Sequence, residues 1–175
     1  MNILFWNSKS LTPNSYICLL NYKWFYTLNL LLKNELFLNN STLIENTAMD
    51  NRFINNFNPN LNLFFTNNKV LNMYLYYFFN LKLKILFLVN LKNNYKPFCY
   101  SIDKIYSNAN WLERETSEMY GILFYFKYDI RKLLLDYSKI ENPLLKDFSS
   151  EGIQDVFYNF FENQVTLNKS EVVEL

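Results

Sequence analysis

Three carboxylates crowd one arginine in the run Trp111-Leu112-Glu113-Arg114-Glu115-Thr116-Ser117-Glu118-Met119-Tyr120-Gly121. On a helix, Glu115 and Glu118 are three apart and share a face, and Arg114 stands four before Glu118. Such a group invites general acid–base work or a bound cation. A hard cation, however, wants more oxygen ligands than this cluster offers, and no nucleophile stands near it in sequence. The other reading is an ion-pair network: Glu113, Glu115 and Glu118 against Arg114, Arg131 and Lys146, partly buried where another subunit docks. Buried pairs add little net stability but cost about 3–5 kcal/mol to break from one side. They therefore fix docking geometry more than affinity. Trp111, Tyr120, Phe124, Tyr137 and Phe148 then become packing or interface anchors, with Phe148 the leading aromatic to plug into a partner.

Other chemistry is excluded by what the 175 residues lack. There is no His, so Ser-His-Asp and Cys-His nucleophile systems and zincin motifs cannot be written. Cys18 and Cys99 stand far apart, and two thiols cannot supply a four-cysteine iron–sulfur or Cys-rich zinc site. Two buried free thiols are expected, with a disulfide left open. Gly121 and Gly152 are the only glycines, so neither a Walker loop nor G-x-G-x-x-G exists. With 17 basic and 16 acidic residues, no global field draws the chain to nucleic acid or anionic lipid.

Composition speaks of origin more than of function. Asn is about a sixth of the chain, and Phe and Tyr number 17 and 14. A/T-rich codons favour these residues, which suggests an A/T-rich organellar genome. Asn does not gather in tracts, which sets aside a prion-like reading. Residues 1–5 carry no basic n-region, so no secretory signal is expected, in keeping with synthesis inside the organelle. The apolar stretches 16–32 and 74–91 are broken by Asn21, Lys23 and Asn29, and by Asn80, Lys82, Lys84 and Asn90. A bilayer span needs about 20 nearly uncharged residues, so both read as core elements.

The elements that must position the charged run follow from periodicity. Residues 15–37 carry Ile17, Leu20, Trp24, Leu28, Leu31, Leu32 and Leu36 at mixed helical spacing, predicting a helix capped by Asn14 or Ser15. Within it, Tyr22-Lys23-Trp24-Phe25-Tyr26 has the aromatic–basic mix that stacks bases, or else buries Trp24 and Phe25 on an amphipathic face. Residues 43–50 read as an extended segment and 55–62, with Pro59, as a loop. Residues 70–79 and 81–92 read as two strands joined at Asn80, the second apolar on both faces like a central strand. A short strand over 98–101 follows, then helical turns carrying Ile102, Ile105 and Tyr106. Asn110 is placed to cap a helix over 111–120, ended by Gly121. Asp129 caps a turn carrying Ile130, Leu133 and Leu134; Pro143 opens an irregular arm over 142–148. Alternation around Val156-Phe157-Tyr158 thins into a polar tail. One chain of helix, strands and helix gives a single two-layer α+β domain, with a mixed or antiparallel sheet of about three to five strands. We divide it into an N-terminal helical extension (1–40), a main domain (41–160) and a tail (161–175).

The charged run also resembles the signature of the thirty-kilodalton subunit family of respiratory complex I: E-R-E, two variable residues, an acid, two apolar or aromatic residues, then Gly. The register continues without a gap. Lys127 stands where that family accepts His or Lys, Arg131 follows at the expected step, and Leu133 and Leu134 come next. Asp136-Tyr137 matches D-Y, Pro143-Leu144 matches P-L, and Lys146-Asp147-Phe148 matches K-D-F. Upstream, Thr47-Ala48-Met49-Asp50 is similar to T-A-V-D, and residues 107–111 to the run into the signature. The likeness spans roughly residues 43–158. Ser138, Lys139, Glu141, Asn142, Leu145 and Ser149 depart from the family pattern, removing two glycines, a His and an Arg.

The resemblance implies a small α+β domain and a non-catalytic, structural role in NADH:ubiquinone oxidoreductase. It implies a place in the matrix-facing peripheral arm at the mitochondrial inner membrane, against the forty-nine-kilodalton subunit near the quinone-reducing end. Flavin mononucleotide (FMN), the iron–sulfur clusters and ubiquinone would belong to neighbours, and this chain would bind no cofactor or metal, its part being to hold distances. The rival class is an organellar nucleic-acid- or ribosome-associated protein, suggested by residues 22–26 and 80–84. Balanced charge weighs against it.

Overall fold

The computed structural model describes residues 4–6, 14–34, 40–51, 69–91, 96–137, 142–150, 152 and 154–169, the first of these as backbone alone. The central element is a five-stranded sheet of β1 (Leu4–Trp6), β2 (Ser15–Asn21), β3 (Ser41–Asp50), β4 (Val70–Phe78) and β5 (Leu83–Asn90), in the order β1-β2-β5-β4-β3. β2 runs parallel to β5 and the other neighbouring pairs are antiparallel, so the sheet is mixed. The α+β expectation holds, and β5 lies in the middle of the sheet as its two-faced apolar pattern requires.

The long helix expected over 15–37 is wrong in its first third. Residues 15–21 are strand β2 and the helix α1 covers Tyr22–Asn34, while residues 35–37 lie outside the described residues. The run Ile17-Cys18-Leu19-Leu20 is apolar on consecutive positions, a pattern that a buried strand and a buried helix share. Pairing with Leu86, Phe87, Leu88 and Val89 decides it. Asn14 is no helix cap; it takes a left-handed φ of 71° ahead of the strand. The chain from Ser15 to Asn34 is thus built into the sheet and its covering layer.

One face of the sheet carries Cys18, Leu20, Tyr74, Tyr76, Phe78, Phe87 and Val89, all buried. α1 covers it. Phe25 stacks on Tyr74 with ring centroids 4.3 Å apart, and the Tyr76 hydroxyl donates to Asn29 Oδ1 at 2.7 Å. Asn29, fully buried, in turn donates Nδ2 to the Phe25 carbonyl at 2.8 Å, so its amide is satisfied on both sides. Trp24 points outward, against the expectation that it would be buried with Phe25. Both thiols are free and buried, as expected. Burial pushes the Cys18 thiol up to about 11 and the Cys99 thiol up to about 12, where neither is a nucleophile at neutral pH.

The second helix, α2 (Ala109–Tyr120), has Asn108 rather than Asn110 at its N-cap position, without a capping side-chain hydrogen bond, and ends as expected at Gly121, whose φ of 70° is left-handed and whose N–H reaches the Ser117 carbonyl at 2.9 Å. α2 lies along β3, an outer strand of the sheet. Asn108 Nδ2 donates to the Leu43 carbonyl at 3.1 Å, and the Thr116 hydroxyl stands 3.1 Å from the Asn46 carbonyl. Between those two carbonyls the strand register shifts, with Ile44 as the extra residue.

Two small sheets complete the chain. β6 (Phe98–Tyr100) pairs in parallel with β7 (Leu123–Tyr125), bracketing α2. β8 (Gln154–Asn159) and β9 (Gln164–Lys169) make an antiparallel hairpin where a thinning tail was expected. The loop expected over 55–62 lies outside the described residues. No helix among them is long and apolar enough to cross a membrane.

Candidate functional site: the charged helix and its arm

Glu113 projects from the buried side of α2, fully removed from solvent. Its carboxylate accepts from the Ser101 hydroxyl at 2.5 Å, the Ile102 N–H at 2.8 Å and Lys127 Nζ at 3.1 Å. The Glu113 and Lys127 side chains are 0% and 1% exposed. Burial is the strongest influence on Glu113 and holds its pKa above the ordinary carboxylate value, against the three donors that pull it down. Glu113 thereby ties together the loop after β6, the helix and the start of the arm that follows β7.

Arg114 and Glu118 grip the next stretch through its backbone. Arg114 Nε donates to the Arg131 carbonyl at 2.8 Å, one terminal nitrogen reaches the Lys132 carbonyl at 3.3 Å, and the other meets Asp129 at 3.4 Å. The guanidinium lies 5.8 Å from the Trp111 ring centroid. Glu118 accepts the N–H groups of Leu133, Leu134 and Leu135 at 3.1, 2.9 and 2.7 Å. Its burial raises its pKa, but the three N–H donors outweigh that and leave it below the usual value. One helix thus takes in both the donors and the acceptors of residues 131–135.

This differs from the ion-pair network expected between the motif carboxylates and Arg114, Arg131 and Lys146. Among the described residues Glu113 pairs with Lys127, while Arg114 and Arg131 both turn to Asp129. The physical reason is that Glu113 faces the core and Glu118 faces three backbone amides, which hold it ahead of any arginine, with the Lys132 charge a smaller influence. Arg131 binds Asp129 through Nε at 3.0 Å and a terminal nitrogen at 2.8 Å, a fork on a carboxylate two residues away. That fork is the main reason the Asp129 carboxyl sits well below its ordinary range. Glu115 faces solvent.

The arm's side chains go the other way. Tyr128 is 96% exposed, Ile130 79% and Tyr137 69%, with Phe126 and Leu134 also outward. Further on, the Lys146 N–H donates to Asp50 at 3.1 Å, Lys69 pairs with Asp147 at 3.1 Å, and the Leu144 N–H reaches the Met119 carbonyl at 3.2 Å. Phe148 is half-buried, and Tyr120 and Phe124 pack against the core. Trp111 stays exposed on the helix, Asp136 lends its carbonyl to Lys132 Nζ at 2.6 Å, and Pro143 is half-buried. Of the departures from the family pattern, Ser138, Lys139 and Glu141 lie outside the described residues. Asn142 stands against Gly121, so that a Cβ there would come within 2.9 Å of its amide nitrogen.

Sequence reasoning missed Asp129 as the shared arginine acceptor, Ser101 as a Glu113 partner, and Asp50 as the anchor of the second half of the arm. Only Asp129 had a local signal, its spacing of two from Arg131.

A polar helix that satisfies an arm's backbone and leaves its apolar side chains outward defines an interaction subunit, a domain shaped to be covered by another protein. The chain belongs to the family described as the respiratory-chain NADH dehydrogenase 30 Kd subunit, which matches residues 22–154. It is 39% identical over 175 residues to NADH-ubiquinone oxidoreductase subunit 9 of Paramecium primaurelia, covering 100% of this chain and 82% of that one. It is also similar to a bacterial relative, an NADH-quinone oxidoreductase subunit of Rhodobacter capsulatus, at 43% identity over 67 residues, covering 38% of this chain and 34% of the relative. Its fold is similar to that of a chain in the membrane-bound sulfane sulfur reductase, an archaeal respiratory membrane complex. There the TM-score is 0.63 at 14% identity, covering 85% of this chain and 78% of that one. These findings make the chain a subunit of respiratory complex I. They lend no support to the nucleic-acid reading, and Tyr22 and Phe25, which that reading needed for stacking, are in the core.

Proposed function

We propose that the chain is a non-catalytic positioning subunit in the peripheral, matrix-facing arm of mitochondrial complex I, and that residues 126–137 and 142–148 belong to its face toward the forty-nine-kilodalton subunit. The observation that carries this is the division of labour in the arm. Arg114 and Glu118 satisfy its backbone from within, while Tyr128, Ile130, Leu134 and Tyr137 stand in solvent. Fixed, desolvation-ready aromatic and aliphatic side chains are what interface anchors require. The redox groups are held by neighbouring subunits, and this chain sets distances between them. Its A/T-codon-driven composition supports coding within the organelle.

The test is a Tyr128→Ser/Ile130→Ser chain followed by native electrophoresis. Reduced amounts of assembled complex with normal NADH:quinone turnover per assembled complex is the expected result. Normal assembly with lost turnover would refute the positioning role.

A further inference from the structure

Between the first two turns of α1 and the β6–β7 pair lies a cavity of about 400 Å³. It is bordered by Lys23 and Tyr26 of α1, Tyr100 at the end of β6, Asp103 and Lys104 in the loop that follows, and Phe126 just after β7. Small-molecule pockets run from roughly 300 to 1,000 Å³, so this one has room for a single compact ligand. Its wall is aromatic. Tyr26 and Tyr100 are half-buried and packed against the core, which fixes their rings. Phe126 lies beside Tyr100 with centroids 5.9 Å apart and ring planes 11° from parallel, so the two present a flat surface. Phe126 holds that place with a left-handed φ of 63°, an outlier for a bulky residue. Strain of this kind gathers at ligand clamps.

Charge and hydrogen bonding narrow the occupant. Lys23 and Lys104 reach the cavity from two different elements, and among the described residues neither ammonium has an ion pair. Two positive charges face the single carboxylate of Asp103, so the lining favours an anion. Asp103 Oδ1 is buried without a hydrogen-bond partner, although the Asp103 N–H donates to Ser101 Oγ at 3.3 Å. A buried acceptor left unmet is costly and calls for a donor. Inorganic phosphate has no flat body for the wall, and a fatty acid has no donor for Asp103. A nucleic-acid strand needs a basic groove along its length, which two lysines do not make. A nucleoside monophosphate meets every demand, with a base to stack, a phosphate for the ammoniums and ribose hydroxyls for a carboxylate. We propose that the cavity binds one nucleoside monophosphate, its base on the Tyr100–Phe126 wall, its phosphate toward Lys23 and Lys104, and its ribose on Asp103. Such a ligand carries no electrons, so the site stands apart from the redox groups. It goes beyond the positioning role and does not depend on it.

Calorimetric titration of the purified full chain with adenosine monophosphate tests this. Ribose 5-phosphate, which lacks the base, and adenosine, which lacks the phosphate, should each bind about tenfold more weakly. The 2′,3′-dideoxy analogue should also lose about tenfold on the parent chain, whereas Asp103→Ala should bind it and adenosine monophosphate alike. Lys23→Ala/Lys104→Ala should hold adenosine monophosphate no better than the parent holds adenosine. Both lysines are exposed, so thermal unfolding of that variant should match the parent; the analogue series, run on the parent alone, decides the matter if it does not. No binding of adenosine monophosphate at millimolar concentration overturns the proposal. So does equal affinity for ribose 5-phosphate, parent-like affinity in a folded double-lysine variant, or an affinity for single-stranded RNA that grows with strand length. Phe126 is the one lining residue that belongs to the arm and is left unsubstituted. Failure here therefore leaves the Tyr128→Ser/Ile130→Ser test standing, and failure there leaves this one.

Discussion

Lys127 Nζ lies 3.1 Å from Glu113 Oε2 with both side chains sealed from water, and this pair joins the charged helix to the first residues of the arm. Its value is geometric. Two ions withdrawn from water roughly cancel their own desolvation cost, but either one alone would be stranded.

Glu113→Gln should therefore destabilise the domain by about 3–5 kcal/mol in urea unfolding, because it leaves a buried ammonium without its counter-ion. Glu113→Gln/Lys127→Met should recover most of that loss. A double variant no more stable than the single one would show that the pair itself is strongly stabilising.

The two buried carboxylates of the helix should respond to pH in opposite senses. The raised Glu113 favours its protonated form in the fold, so its contribution is complete below the unfolded value of about 4.3 and is lost as pH rises through its folded pKa. Glu118, held low, contributes above that value and loses its contribution as pH falls through its folded pKa. Stability curves of Glu113→Gln and Glu118→Gln against pH should thus deviate from the parent with opposite slopes in the acid range.

Glu118→Gln should also loosen the arm locally. A carboxamide has one acceptor oxygen for three N–H groups, and a buried donor left unpaired costs about 1–3 kcal/mol. Amide hydrogen exchange should accelerate at residues 133–135 while β4 and β5 keep their protection.

Arg114→Lys keeps the charge but removes the fork that spans Asp129 and the carbonyls of Arg131 and Lys132. Less assembled complex, with unchanged turnover in what assembles, is the expected result. Equal assembly would place the arm's rigidity elsewhere.

Gly121→Ala should cost about 1–2 kcal/mol, since its left-handed φ is unfavourable for any residue with a Cβ. Asn142 can swing aside, so the loss should be visible in urea unfolding without loss of the fold.

What the chain's letters revealed depended on whether a partner was local. The α2 boundary at Gly121 and the β4–β5 hairpin were readable because their signals sit within a few residues. The β2 strand was not. Ile17 to Leu20 is apolar on both faces, and only its parallel neighbour Leu86 to Val89, far along the chain, selects strand over helix. The motif carboxylates were visible as a cluster, but the groups they bind are backbone amides and a serine, which carry no charge signature. Reading charges alone paired them with arginines.

The way α2 lies along β3 has a further consequence. An outer strand with free carbonyls is a template for the strand of another molecule. Here Asn108 Nδ2 donates to the Leu43 carbonyl, the Thr116 side chain, whose hydroxyl donates to Leu112 within the helix, stands over the Asn46 carbonyl, and the extra residue at Ile44 spoils the regular spacing between them. A newly made copy can thus wait for its neighbours without polymerising along that border. The same helix that readies the protein for its proper companions also closes the door on its twins.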